Sequence, residues 1–167
     1  MFTHTEIVTQ KIMSGQTLMK QLARWRISSK KIVFTNGCFD IVHRGHIDTL
    51  SKAADCGNVL IVGLNSDASI KLLQKGPSRP LQDEQSRAMI MASFQFVNAV
   101  VLFDEETPYE LIATIQPDVL VKGGDYKVEE IAGHDIVLAR GGEVKLIPLV
   151  EGYSTSAIEK KIKFPEI

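Results

Sequence analysis

The residues best suited to chemistry lie in the segment FTNGCFDIVHRGHI, residues 34–47. His43 and His46 are three positions apart, and Asn36-Gly37 allows the chain to turn sharply after a short apolar run. If a helix begins near His43, both imidazoles lie on one face of its first turn, beside free backbone N–H groups that favour an anion. The spacing therefore predicts that the two histidines bind one phosphate chain, with Gly45 leaving room for the ligand.

Two other interpretations of the histidine pair remain open from the residues alone. Cys38, His43 and His46 could ligate zinc, but no further ligand stands at metal-site spacing, so we predict no metal site built by the protein. Alternatively, one imidazole is a hydrogen-bonded residue of the core.

The sequence around the turn is not G-x-G-x-x-G, and G-x-x-x-x-G-K-[ST] does not occur, so neither a dinucleotide-binding fingerprint nor a P-loop is indicated.

Five short apolar runs, rich in β-branched residues, predict the strands of a buried sheet. They cover residues 31–34, 58–64, 99–103, 118–123 and 143–149. Amphipathic segments predict helices at roughly 16–27, 44–56, 67–74 and 83–95, and two capping-box spacings, Thr107 with Glu110 and Ser156 with Glu159, predict two more. The alternation predicts an α/β fold, in which a Rossmann-like parallel sheet carries helices on both faces of a single domain.

Polar segments follow four of the predicted strands. Their sequences are TNGCFD, NSD, KGGDY and EGYSTS. In a parallel sheet wrapped by helices, ligands bind outside the carboxyl ends of the strands. We therefore expect these four segments to meet at one rim, and we expect the functional site there.

Composition and charge narrow the class of protein. The chain has 167 residues, of which 44% are hydrophobic and 23% charged, which suits one globular domain. A net charge of −1 argues against a nucleic-acid partner. The sequence shows neither a secretory signal nor the apolar run of about 18 residues that a membrane span needs, so we expect a cytoplasmic protein without a membrane partner. Cys38 and Cys56 form no disulfide framework.

The segment TNGCFDIVHRGHI resembles the HxGH motif of the cytidylyltransferase-like nucleotidylyltransferases. The resemblance continues through NSDASIKLLQKGPSRPL, QSRAMI, VKGGDY and EGYSTSAI, over about residues 30–163. The combination of KGPSRP, VKGGDY and GYSTS is similar to the adenylyltransferase domains of bifunctional ADP-heptose synthesis enzymes. It implies a nucleotidylyltransferase domain over residues 30–167, preceded by an N-terminal helical extension over residues 1–29.

This resemblance implies a reaction. ATP and a sugar 1-phosphate, D-glycero-β-D-manno-heptose 1-phosphate, would give ADP-heptose and pyrophosphate for lipopolysaccharide core or related glycan synthesis. Mg²⁺ would accompany ATP. A separate sugar kinase would supply the 1-phosphate, since the chain is too short to include a kinase domain, and we also expect a homo-oligomer.

The resemblance also implies roles for individual residues. The catalytic residues it implies are His43, His46, Lys75 and Arg79. The residues it implies for nucleotide binding are Thr35, Asn36, Gly37, Cys38, Phe39, Asp40, Arg87, Lys122, Gly123, Gly124, Asp125, Ser154, Thr155 and Ser156. The N-terminal stretch SGQTLMKQLARWRI reads as an amphipathic helix with Leu18, Leu22 and Trp25 on one face, which predicts packing on the domain or on a partner subunit.

Two alternative functions remain. Cytidylyltransferases that act on glycerol 3-phosphate or a related alcohol phosphate share HxGH, but their last motif usually reads Arg-Thr-x-Gly-Ile-Ser-Thr-Thr, whereas this chain has LVEGYSTS with Leu149 at the arginine position. The second alternative is a non-catalytic nucleotide-binding module. The retention of both histidines argues against it, because binding alone does not need every transition-state contact.

Overall fold

The computed structural model describes residues 2–74, 76 and 78–163. Its centre is a sheet of five parallel strands in the order β3-β2-β1-β4-β5. The strands are β1 Ile32–Gly37, β2 Val59–Asn65, β3 Ala99–Phe103, β4 Val119–Gly123 and β5 Glu143–Ile147. All five predicted strands are confirmed. The order reverses between β1 and β4, which is where an open parallel sheet forms its ligand crevice.

Eight α-helices surround the sheet within the described part of the chain. They are α1 His4–Thr9, α2 Gly15–Ile27, α3 Arg44–Ala54, α4 Asp67–Leu72, α5 Glu84–Ser93, α6 Tyr109–Ile115, α7 His134–Ala139 and α8 Thr155–Lys163. A 3-10 helix, Val128–Glu130, follows β4. The sequence did not predict α1, α7 or the 3-10 helix, each of which is six residues long or shorter. None of the described helices combines the length and the apolar character that a membrane span requires.

Both capping-box predictions were wrong in detail. Helix α6 begins at Tyr109, and Pro108 occupies its N-cap position without a side-chain hydrogen bond. Helix α8 begins at Thr155, and Ser154 Oγ accepts a hydrogen bond from Ala157 N at 3.1 Å. The run Ser-Thr-Ser offers three hydroxyl groups at one helix start, so spacing alone could not choose the capping residue.

The core lies on both faces of the sheet. Val33 and Leu60 belong to one buried cluster, whereas their neighbours Phe34 and Ile61 belong to the other, because successive side chains of a strand point to opposite faces. Leu50 and Met91 bring α3 and α5 to the first cluster, and Leu22 and Ile112 bring α2 and α6 to the second. The predicted fold class, a parallel sheet with helices on both faces, is confirmed.

The N-terminal segment packs into the same core. Leu18 and Leu22 of α2 are buried, and Trp25 packs beside them. Met13 N donates to Val100 O at 2.9 Å, and Val100 N donates to Lys11 O at 2.8 Å, so this segment also lengthens the sheet edge at β3. The segment is therefore continuous with the domain, which is the first of the two packing alternatives that the sequence left open.

Candidate active site

His43 and His46 stand at the start of α3, directly after the turn that follows β1. His43 is the N-cap residue, and its Nδ1 accepts a hydrogen bond from Gly45 N at 3.1 Å. The two imidazole rings are stacked, with their centroids 3.9 Å apart and their planes 21° from parallel. The structure thus places both rings on one side of the first helical turn, as the spacing predicted.

His46 is the more buried of the pair. Burial, reinforced by the neighbouring His43, lowers the pKa of His46 to about 4, and a backbone contact with Ile41 only partly offsets this. Its Nδ1 is buried and has no hydrogen-bond partner among the described residues. Burial also lowers the pKa of His43. Both rings are therefore neutral at neutral pH, and an anion beside them would favour their protonation.

A cleft of about 630 Å³ opens beside His46 at the carboxyl ends of β1 and β4. Its walls come mainly from the turn after β1, the end of β4 and the start of α8, and α3, α4, the loop that carries Arg79 and the segment after β5 add further residues. The lining residues that the sequence had indicated are Thr35, Asn36, Gly37, Cys38, Phe39, Asp40, His46, Arg79, Lys122, Gly123, Thr155 and Ser156. Three of the four segments predicted to share a rim, TNGCFD, KGGDY and EGYSTS, contribute residues to this cleft, whereas NSD contributes only Asn65 to the adjoining cavity.

Lys122 carries positive charge to the centre of this cleft. Its Nζ donates to Asn36 Oδ1 at 3.1 Å and lies 5.8 Å from the centroid of the Tyr126 ring. These contacts join the end of β4 to the end of β1 across the point where the strand order reverses. An anionic group in the crevice would lie close to this ammonium group.

Arg79 and Asp40 form an ion pair at the edge of the cleft. Arg79 Nη1 lies 2.5 Å from Asp40 Oδ2, and Arg79 Nη2 lies 2.8 Å from Glu159 Oε2 of α8. Burial alone would raise the pKa of Asp40, but hydrogen bonds from the backbone N–H groups of Leu81 and Gln82 and from Arg79 lower it. Arg79 thus faces the cleft as predicted, but its charge is shared between two carboxylates.

Arg87 lies beneath the site and not in it. The side chain is completely buried, and its guanidinium donates to Cys38 O at 2.8 Å, Asn65 O at 2.7 Å and Gln82 O at 3.0 Å. It also pairs with Asp67 Oδ1 at 2.8 Å. The structure therefore corrects the expectation that Arg87 binds a phosphate group, because these donors are directed to oxygen atoms of the protein.

The structure places four other predicted residues in different positions, or does not describe them. Gly124 and Asp125 line a separate depression with Leu146 and Pro148, so the structure does not bring them to the histidine cleft. Ser154 caps α8, as described above. Lys75 lies outside the described residues.

Five residues that line the cleft were not among the predicted site residues: Thr49, Ile70, Tyr126, Leu149 and Glu159. Thr49 stands three positions after His46, so helical spacing carried a signal for it. Glu159 had been read only as a capping residue, and its ion pair with Arg79 comes from a distant segment that no local pattern reveals.

A second cavity of about 390 Å³ adjoins the cleft. It shares Asn36, Gly37, Cys38, Lys122 and Tyr126 with the first cavity and extends over the end of β2 and the segment after β3. The crevice therefore has room for two molecules that meet near Lys122. Within the described residues, no group of three or more His, Cys, Asp or Glu side chains is placed to hold a metal ion.

The sequence pattern of the cytidylyltransferase-like family matches residues 34–161, a range that begins in β1 and ends in α8. The chain belongs to this family. As a cytidylyltransferase-like protein it is a nucleotidyltransferase. The matched range contains the stacked histidine pair and the turn that lines the cleft.

Curated relatives agree with this assignment. The chain is 54% identical over 154 residues to the bifunctional protein HldE of Wolinella succinogenes, covering 92% of this chain and 31% of that protein. It is 51% identical over 152 residues to the HldE protein of Azorhizobium caulinodans, covering 91% of this chain and 32% of that protein. The chain thus spans about a third of the length of these relatives.

Two solved structures share the fold. The lipopolysaccharide core biosynthesis protein of Thermoplasma volcanium matches with a TM-score of 0.60 and 26% identity, covering 75% of this chain and 99% of that chain. The pantoate-beta-alanine ligase of Francisella tularensis, in complex with beta-gamma ATP and beta-alanine, matches with a TM-score of 0.56 and 17% identity, covering 93% of this chain and 78% of that chain. The second likeness concerns the fold alone.

Proposed function

We propose that this chain transfers AMP from ATP to a sugar 1-phosphate, D-glycero-β-D-manno-heptose 1-phosphate, and releases ADP-heptose and pyrophosphate. The observation that carries the proposal is the stacked pair of His43 and His46 at the start of α3, of which His46 lines the cleft between β1 and β4. The resemblance of KGPSRP, VKGGDY and GYSTS to ADP-heptose adenylyltransferase domains supports the choice of sugar. Identity of about half with the bifunctional HldE proteins supports it further.

The reaction asks the protein for positioning and for charge stabilisation. An oxygen of the sugar phosphate attacks the α-phosphorus of ATP in line with the departing pyrophosphate, so no covalent enzyme intermediate is required. Negative charge grows on the phosphate oxygens during this displacement. His43 and His46 stabilise this charge as hydrogen-bond donors and take up protons as the triphosphate approaches. Lys122 offsets part of the charge from the end of β4. Thr155 and Ser156, at the start of α8, line the same cleft and bring the helix N-terminus, which favours an anion, to it.

Arg79 takes part by exchanging partners. Its guanidinium is held between Asp40 and Glu159, and side-chain exposure is only 12% for Arg79 and 24% for Glu159. A phosphate group that enters the cleft competes with the Glu159 carboxylate for the same donors. Because guanidinium binds carboxylate and phosphate in the same forked geometry, the exchange preserves the hydrogen bonds of Arg79.

Mg²⁺ fits this site as an ion that arrives with ATP. The Asp40 carboxylate already accepts hydrogen bonds from Arg79 and two backbone N–H groups, and the Asp67 carboxylate pairs with Arg87. This donor set suits an ion that is held mainly by phosphates and water, as Mg²⁺ is in many nucleotide sites. When bound with ATP, Mg²⁺ would neutralise part of the charge on the phosphate groups.

The rim of the cleft favours ATP over CTP. Leu149 lines the cleft and is exposed, at the position where the related cytidylyltransferases usually have arginine. Its apolar side chain supplies no cation for a cytosine nucleotide.

A sugar kinase activity must provide the 1-phosphate. We also propose a homo-oligomer, which light scattering on the purified protein would test.

The proposed function is tested by pyrophosphate release at saturating Mg²⁺-ATP with a panel of acceptors. We expect release with D-glycero-β-D-manno-heptose 1-phosphate, little with glycerol 3-phosphate and none without an acceptor. The matched control is His43→Ala, which keeps the fold and removes one ring of the pair. Preferred use of glycerol 3-phosphate would select the alcohol-phosphate alternative, and binding of ATP without release from any acceptor would select the non-catalytic module.

A further inference from the structure

The turn after β1 contains a backbone conformation that its residue does not favour. Phe39 has a φ of 47°, in the left-handed region, although it is neither glycine nor asparagine. A bulky residue remains in this region only where surrounding contacts enforce it, and such residues are often found at functional sites. Phe39 lies four positions before His43, so contacts that hold its backbone also determine how the chain enters the site.

The Phe39 ring connects this backbone to the histidine pair. The ring is buried and meets the His46 ring edge-on, with the centroids 5.2 Å apart and the planes at 70°. On its other side the ring lies over Gly37, where a Cβ atom would approach the ring carbons Cε2 and Cζ to 3.0 Å. Phe39 is thus confined between Gly37 and His46, and His46 in turn stacks on His43.

Arg87 acts on the chain before Phe39 directly and on the chain after Phe39 through Gln82. On the N-terminal side its guanidinium donates to the carbonyl of Cys38 at 2.8 Å. On the C-terminal side the Gln82 side chain donates to the carbonyl of Asp40, and the Gln82 backbone N–H donates to the Asp40 carboxylate at 2.9 Å. Arg87 holds Gln82 as well, because its Nε donates to Gln82 O at 3.0 Å.

Arg87 is itself held by hydrogen bonds to the end of β2 and to the start of α4. It donates to Asn65 O at 2.7 Å and pairs with Asp67 Oδ1 at 2.8 Å, and its side chain is completely buried. Hydrogen bonds from a charged donor are stronger than neutral ones, and the planar guanidinium reaches several acceptors at fixed angles. The group therefore links the turn after β1, the end of β2 and the segment before α5.

We propose that Arg87 is a positioning residue for nucleotidyl transfer: its hydrogen bonds to Cys38 and Gln82 hold Phe39 in the left-handed conformation, and the Phe39 ring then fixes His46 in the cleft. This inference rests on the proposed function for its catalytic consequence. Its structural part, the control of the His46 ring by Arg87, is independent of the substrate. Arg87 acts without touching ATP or the sugar phosphate.

The test compares Arg87→Met and Arg87→Lys with the matched control Arg140→Met, which changes an exposed arginine near the amino ends of the strands. His46 is titrated by NMR of histidine-labelled protein without ligand, and its signal is assigned by its loss in His46→Gln. In Arg87→Met we expect the pKa of His46 to rise from about 4 by one unit or more towards the ordinary value of 6.5, because the ring leaves its buried position. Arg87→Lys restores part of the shift, and Arg140→Met leaves it unchanged.

Kinetics separate positioning from ligand binding. We expect kcat to fall by about 10- to 100-fold in Arg87→Met, as a small misplacement of a catalytic group does. The dissociation constant for Mg²⁺-ATP should change less than about threefold, because the lost contact acts chiefly in the transition state. An unchanged pKa of His46 in a folded Arg87→Met protein overturns the proposal, and so does a large loss of ATP affinity with normal kcat at saturation.

A second variant keeps the test decisive if Arg87→Met does not fold. Phe39→Gly is compatible with the positive φ and removes the whole side chain, including the ring. We expect this variant to raise the pKa of His46 as Arg87→Met does, and an unchanged pKa overturns the link between Phe39 and His46. Since the titration uses no substrate, wild-type protein that is inactive with heptose 1-phosphate but shows the expected titrations would refute the proposed function and leave the positioning of His46 intact.

Discussion

The low pKa of His46 predicts that ATP binding is coupled to proton uptake. In the protein alone, burial and the neighbouring His43 hold the pKa of His46 at about 4, so the ring is neutral at pH 7. A triphosphate placed in the cleft brings negative charge beside this ring and stabilises its protonated form. The perturbation is therefore the addition of Mg²⁺-ATP, and the response is a proton taken from the buffer.

The size of the effect follows from Coulomb's law. One unit charge at about 4 Å, with an effective dielectric constant of about 20, contributes about 4 kcal/mol, which corresponds to about three pKa units. Added to the value of about 4 in the protein alone, this moves the pKa of His46 in the complex to about 7. About half a proton should then be taken up per ATP at pH 7, and nearly a whole one at about pH 6.

Isothermal titration calorimetry in buffers of different ionisation enthalpy measures this uptake directly. The matched control is His46→Gln, which keeps a polar side chain of similar size but does not titrate. The difference between wild type and variant removes the protonation of ATP itself, which both share. Between about pH 7 and pH 5, wild-type affinity should increase relative to the variant as the pH falls, because the bound form holds more protons than the free form.

Equal proton uptake by wild type and His46→Gln would refute this reasoning. It would show that the phosphates lie too far from His46 to interact with it, and the assignment of His46 as a contact of the transition state would then fail as well. Proton release by the wild type relative to the variant would contradict it even more directly.

Three further predictions concern the same site. His46→Ala should leave a folded protein, judged by circular dichroism, and lower turnover by a factor of roughly 100 or more, as loss of a transition-state charge contact does; near-wild-type turnover contradicts this. Calorimetry should find only weak Mg²⁺ binding to the protein alone and tighter ATP binding when Mg²⁺ is present. Tight binding of the metal without nucleotide, or full turnover in excess chelator, would contradict the proposal that Mg²⁺ arrives with ATP. The free energy of unfolding, measured in urea, should fall as the pH drops from 6.5 to about 4, because His46 binds a proton in the unfolded chain but not in the native protein. His46→Gln should lose that part of the pH dependence, and identical pH profiles for the two proteins would argue against a buried neutral ring.

The sequence predicted the scaffold well because local signals specify it. Each strand is a short apolar run, and the periodicity of 16–27 and 44–56 corresponds to α2 and α3. The rule that ligands bind at the carboxyl ends of parallel strands then predicts the position of the cleft. The histidine pair was also predictable, since three residues of spacing at a helix start place two side chains on one face.

The role of Arg87 was not predictable from a local pattern. An arginine on an amphipathic helix is usually exposed. Of the carbonyl groups that hold Arg87, that of Gln82 is five positions away, but those of Cys38 and Asn65 are distant in sequence. Nothing in the sequence indicated the positive φ of Phe39, because that region is associated with glycine and asparagine. These features depend on tertiary contacts, and they lie directly beneath the site.

The most direct test of the central claim is the specificity constant for D-glycero-β-D-manno-heptose 1-phosphate measured with ATP and with CTP, with the product identified by mass spectrometry. The account predicts that ATP is the better nucleotide and that ADP-heptose and pyrophosphate form in equal amounts. A preference for CTP, or a product without the intact sugar phosphate attached to AMP, would contradict it.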